Sequence, residues 1–164
     1  MIGPFEGKYE FLSNFYNFYK KHGIMISFNG IECETSEHAY QAAKSTTFDD
    51  FMYVMNSSTA SKSKKRGKEI KKRIDWREAK FKVMYEVCRR KFEIPELKQL
   101  LLNTEEEELI ELNWWGDEVF GVNSNTMKGE NHLGKILMKI RDEFNGKVDE
   151  NKSTGLGKIL FPDE

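Results

Sequence analysis

Two cysteines, three prolines and three histidines are few for a chain of 164 residues, and each shortage closes off a class of protein. Cys33 and Cys88 lie far apart with no metal-ligand spacing, which argues against a disulfide framework and against a zinc site. His22, His38 and His132 form no pair at metal spacing. No stretch is apolar for the ~20 residues a membrane helix needs. The opening MIGPFEGKYEF lacks the basic segment and apolar run of a signal peptide. No glycine-rich phosphate loop follows a strand, and no local serine-nucleophile signature is present. The net charge of −1 supplies no global field toward nucleic acid or membrane. What remains is a reduced, cytoplasmic protein with no membrane association, no metal, no cofactor and no obligate protein partner, in which Glu, Asp and Lys carry any chemistry.

What the chain does contain suits one α+β domain. Apolar residues make up 38%, charged residues 32% and aromatics 13%, and the aromatic content argues against disorder. YEFLSNFYNFY (9–19) has no clean period and reads as an irregular or short extended segment held to the core by Phe11, Leu12 and Phe15. Asn29-Gly30 between IMISF and IECE predicts a hairpin over residues 24–34, because both turn positions favour φ > 0. Thr35 or Ser36 caps a helix running to about Ser45. FDDFMYVMN predicts a second short helix. In EAKFKVMYEVCRRKF, Phe81, Met84, Cys88 and Phe92 form a helical stripe widened by Val83 and Val87. Pro95 starts a further helix with Leu97, Leu100 and Leu101 inward. LIEL is a short strand candidate, and a long Gly/Asn-rich loop follows it. HLGKILMKIRDEF closes the series, with Leu133, Ile136, Leu137, Ile140 and Phe144 on its buried face. The expected organisation is a mainly helical single domain over residues 1–146 with a small antiparallel sheet, then a tail over 147–164.

Three constellations have chemical potential. KSKKRGKEIKKR (62–73) holds eight Lys or Arg against one Glu. By itself it reads more readily as a solvated helix face than as a phosphate contact. Trp114-Trp115-Gly116-Asp117 lies in a loop, where an aromatic face beside an acid suits a planar base; Trp76 is a third such platform, or else core. In TSEHAYQAAK (35–44), Glu37, Tyr40, Gln41 and Lys44 share one helix face, with Ala39, Ala42 and Ala43 between them. From residue types alone a solvated face is the plainer reading, and the wall of a polar pocket is the alternative.

FLSNFY (11–16), SEHAYQAAK (36–44), RIDW (73–76) with Lys80 and Met84, WGD (115–117) and NHLGKILMKIR (131–141) follow in the order and approximate spacing of the NADAR family, also called YbiA-like, which the chain resembles. The resemblance spans roughly residues 9–144. It implies a mainly helical α+β fold with a small sheet and an N-glycosidase that breaks the C1′–N bond of a ribose phosphate. The substrate it implies is an ADP-ribosylated guanine, as a nucleoside or in nucleic acid. The alternatives are a small ribosylated metabolite, namely a ribosylamino-pyrimidine phosphate intermediate of riboflavin synthesis, or a binding module for NAD or ADP-ribose without turnover. Carried onto matching positions, the family's motifs imply roles for Ser13, Asn14, Glu37, Lys44, Asp75, Trp76, Asp117, Asn131 and Gly134. Glu37, Lys44 and Asp117 are the expected catalytic set. Two carboxylates would stabilise an oxocarbenium-like ribose and protonate the leaving base. Lys44 would clamp phosphate as an ammonium or attack C1′ as an amine. Substrate contacts are expected from Ser13, Asn14, Tyr40, Gln41, Arg73, Asp75, Trp76, Trp114, Trp115, Gly116, Asn131 and Gly134, with Arg66 and Lys68 as further phosphate contacts. The chain departs from the family at Phe120, where a second Trp is expected after WGD, and in loop 121–130, which has less glycine. Both departures bear on base specificity more than on reaction type.

Overall fold

The computed structural model describes residues 1–147. The expected tail beyond Lys147 lies outside the described residues. The fold is mainly helical α+β with a small antiparallel sheet. It divides into two compact units, Asn14–Lys91 and Met1–Ser13 with the described residues from Phe92 onward.

The Asn14–Lys91 unit begins with helix α1 (Phe18–His22), capped by the Asn17 side chain, which accepts from the Lys20 N–H at 2.8 Å. Strands β1 (Ile26–Phe28) and β2 (Ile31–Cys33) pair antiparallel, in the register Ile26–Cys33 and Phe28–Ile31. Asn29 and Gly30 at the turn have φ of 50° and 81°, the geometry a two-residue hairpin asks for. Helices α2 (Ser36–Ala42), α3 (Phe48–Met55) and α4 (Ala60–Glu69) each start at a threonine. Thr35, Thr47 and Thr59 accept from the N–H three residues on. Helix α5 (Trp76–Lys91) packs on β1 and α2. Phe18, Phe28, Phe51, Val54, Val83, Met84, Val87 and Cys88 are buried, and Phe28 stacks on Phe51 at 6.3 Å. Each large side chain so buried is worth about 1.5–3 kcal/mol.

Helix α4 has almost nothing apolar to bury. It docks instead through a stripe of small residues, Ala60, Ser63 and Gly67, all buried. Facing helix α2 meets this stripe at Gln41, whose side chain lies against Gly67.

In the other unit a 3-10 helix (Gly7–Leu12) and α6 (Pro95–Leu102) pack together, with Phe11 edge-on to Phe92 at 6.5 Å. A two-residue parallel pair joins β3 (Leu112–Asn113) to β4 (Val122–Asn123). Helix α7 (His132–Phe144) packs on α6. Its entry is built by Asn131, whose φ of 53° is left-handed. The Asn131 carboxamide accepts from the Glu111 N–H at 3.0 Å and donates to the Leu109 carbonyl at 2.9 Å. Gly134 leaves room for the same lock: a Cβ there would run into the Leu109 carbonyl and the Asn131 side chain.

Several local expectations are corrected. In YEFLSNFYNFY residues 13–17 are irregular and Phe11 and Leu12 are buried, but the ends belong to the 3-10 helix and to α1, and Phe15 is 44% exposed. Leu100 is 38% exposed while Leu97 and Leu101 are fully buried. LIEL is not one strand. Leu109 makes a lone parallel bridge to Ile2, and regular pairing starts only at Leu112. Strand β4 lies within the expected loop, because its partner is set by a contact that alternation in sequence does not register.

Gly134→Ala is expected to destabilise the protein by about 2–3 kcal/mol, since two backbone segments meet over that position. Urea unfolding measures it, and an unchanged midpoint would contradict the packing described.

Candidate active site

The face of α2 resolves the ambiguity of TSEHAYQAAK. Glu37, Tyr40, Gln41 and Lys44 are 6%, 8%, 4% and 8% exposed, so this is no solvated face. Glu37 sits in the first turn, its N–H bonded to the Asn14 carbonyl at 3.0 Å. One carboxylate oxygen accepts from Gln41 Nε2 at 2.7 Å. Lys44 follows the helix in a tighter turn, with its N–H on the Gln41 carbonyl.

Lys44 Nζ lies 5.7 Å from the Tyr40 ring centroid and 6.0 Å from that of Trp76, whose rings are 5.2 Å apart. Its pKa falls from the ordinary 10.5 to about 8. Burial is the largest cause. Lys72, Lys68 and Lys64 lower it further, while Glu37 opposes the shift. The basic run is therefore more than a solvated face, since three of its lysines, spaced four apart, bear on one buried amine.

Neighbouring residues hold this arrangement. The Lys44 carbonyl accepts from the Arg73 N–H at 2.8 Å. The Arg73 guanidinium makes a two-pronged pair with Asp75 at 2.9 Å, and that bonding holds the Asp75 carboxyl below the usual carboxylate range. Asn14 donates to Met84 Sδ at 3.3 Å. His38 is committed to Thr35 and to the Ser57 carbonyl, the latter requiring the proton on Nε2. Arg66, expected on phosphate, lies over the Tyr53 ring at 4.5 Å and donates to the Tyr53 carbonyl. Cys33 and Cys88 are buried free thiols pushed up to about 12 by desolvation, and therefore unreactive.

The remaining candidates belong to the other unit. Trp114 and Trp115 meet edge-to-face at 5.3 Å and are 65% and 52% exposed, so neither is core. Gly116, with φ of 87°, turns the chain after them. Asp117 Oδ1 accepts from the Val119 and Phe120 N–H groups at 2.9 and 3.0 Å, which commits that oxygen to loop geometry. Buried Asn113, absent from the residues expected on sequence grounds, braces the loop. It accepts from the Asp117 N–H and donates to the Asp117 carbonyl. An asparagine flanking Trp-Trp-Gly-Asp was the available signal. Asn131 and Gly134 serve the lock on residues 109–111. Ser13 closes the 3-10 helix, its N–H on the Glu10 carbonyl. Among the described residues no cluster of His, Cys, Asp and Glu is placed to hold a metal. None of the described helices is long and apolar enough to cross a membrane.

A buried carboxylate and a buried amine of lowered pKa, walled by aromatic rings and fringed by lysines, suit attack on an electrophilic sugar carbon. Comparison with known proteins defines the class. The family model of the NADAR domain matches residues 3–145. The N-glycosidase YbiA of Escherichia coli strain K12 is 34% identical over 129 residues, 73% of this chain and 75% of that protein. A riboflavin biosynthesis protein of Vibrio vulnificus is 34% identical over 144 residues, which is 82% of this chain but 35% of that protein. The NMR structure of the E. coli protein YbiA matches with a TM-score of 0.74 at 28% identity, covering 93% of this chain and 88% of that one. The chain belongs to the NADAR family, and its activity class is that of an N-glycosidase.

Removing the buried amine tests its cost. Lys44→Met is expected to raise stability by about 1–2 kcal/mol near neutral pH, where the lysine is still largely charged, while abolishing activity. The gain shrinks as pH rises through about 8, because Lys44 then loses its charge. Urea unfolding at pH 6.5 and 9.5 reads both effects, and a less stable variant at pH 6.5 would sink the reading.

Proposed function

We propose that the chain hydrolyses the ribose C1′–N bond of ADP-ribosylated guanine, as a nucleoside or within nucleic acid, in a cytoplasmic setting. The observation that carries this reading is the buried Glu37–Lys44 face, with Lys44 brought to about 8 by burial and by Lys72, Lys68 and Lys64. Breaking the bond leaves the electron pair on the base nitrogen and positive charge on the ribose. The Glu37 carboxylate stabilises that charge. The neutral Lys44 amine bonds to C1′ as the ring opens and forms an imine, which water hydrolyses to free the sugar and restore the lysine. Tyr40 and Trp76 supply aromatic surface, and the α4 lysines suit the two charges of a pyrophosphate. Asp117, with one oxygen committed to its loop, is the weaker candidate for the proton-transferring partner.

A second substrate, a ribosylamino-pyrimidine phosphate, is favoured by the name of the V. vulnificus relative. A binding module without turnover would need the rings and lysines but neither the carboxylate nor a neutral amine.

The test incubates the protein with an oligonucleotide carrying ADP-ribose on guanine and, separately, with the pyrimidine substrate, following sugar release by chromatography. Release from the guanine adduct is expected, with Glu37→Gln and Lys44→Ala each lowering the rate at least ~100-fold. Borohydride added during turnover should leave a reduced adduct on Lys44. The rate should climb as pH rises through about 8, and Lys72→Ala should move that limb to higher pH by removing a charge that lowers the Lys44 pKa. Release from the pyrimidine alone would transfer the assignment to that substrate. ADP-ribose binding without release from either would leave the binding module.

A further inference from the structure

Two locally unfavourable features meet between α2 and α4. The Gln41 Oε1 is buried with no hydrogen-bond partner among the described residues, a costly state for an amide oxygen. Opposite it, Gly67 sits inside α4, where glycine is a poor helix former. Gly67 has no left-handed φ, so backbone conformation does not demand glycine there. Space does. A Cβ on Gly67 would overlap Gln41 Oε1 and lie 3.0 Å from Cδ and 3.1 Å from Cβ of the same side chain.

One geometric requirement accounts for both features. Gln41 Nε2 donates to Glu37 Oε1 at 2.7 Å. Turning the carboxamide over would set its oxygen against the carboxylate, so the orientation follows from the contact. With the N–H directed at Glu37, the oxygen is left facing the Gly67 backbone. We propose that Gln41 is a positioning residue that aims the Glu37 carboxylate, and that Gly67 is the seat that keeps it aimed. This rests on the reading of Glu37 as a reacting group. It gives Gln41 a role apart from the expected contact with substrate, since one of its amide protons is committed to Glu37.

The first test needs no substrate. In the ¹³C spectrum of labelled protein, the Glu37 carboxyl resonance, assigned by its loss in Glu37→Gln, should move in Gly67→Ala. A resonance that does not move overturns the proposal. The second test uses whichever of the two substrates the wild type cleaves. Gly67→Ala adds a methyl whose nearest neighbours all belong to the Gln41 side chain, in an otherwise better helix, so its melting temperature should stay near that of the wild type. Its kcat should fall roughly 10–100-fold with KM within about twofold, as expected for a displaced reacting group. In a Gln41→Ala background the overlap with Oε1 and Cδ is gone and only the 3.1 Å approach of the two Cβ atoms remains, so adding Gly67→Ala should cost much less than in the wild type. An equal loss in both backgrounds, or a rise in KM that accounts for the loss, overturns the proposal. So does a fully active Gly67→Ala beside an inactive Glu37→Gln. If Glu37→Gln itself retains full activity, the reading of Glu37 fails and takes this proposal with it.

Discussion

The close approach of α2 and α4 is the constraint on which the candidate site depends. Small residues on α4, Ala60, Ser63 and Gly67, let a polar helix lie on a buried one. That approach desolvates the face carrying Glu37, Gln41 and Lys44, and it brings the α4 lysines near a buried amine. Side chains well beyond the size of alanine in the stripe would separate the helices and admit water. Glu37 and Lys44 would then behave as ordinary surface charges.

The second unit follows a different rule, in which asparagine carboxamides replace regular strand pairing. Asn131 ties residues 109–111 to the start of α7, and Asn113 ties the two ends of the Trp114–Asp117 turn. Both are buried, where an unsatisfied amide is costly. They give irregular backbone a single conformation, and that conformation presents two exposed tryptophans at a loop tip.

Much of the framework was legible in residue order. The Thr35 cap, the Asn29-Gly30 turn and the periodicity of α5 and α7 are local signals whose physics acts within a few residues. The five spaced motifs are in themselves a mark of the family. Less legible were the residues whose environment depends on distant partners. Phe15 and Leu100 look like core by type yet remain exposed, and Arg66 lies over the Tyr53 ring. Strand β4 and the bridge from Ile2 to Leu109 join segments that share no local pattern.

The chain's own order of residues determined its helices, its hairpin and its membership of an N-glycosidase family, because capping, turn chemistry and motif spacing are properties of neighbours along the chain. Only tertiary structure decided what the α2 face is. An identical string of Glu, Tyr, Gln and Lys on an open helix would be solvated and inert. Burial is what lowers the Lys44 pKa most, since desolvation and the field of Lys72, Lys68 and Lys64 depend on distance in space rather than in sequence.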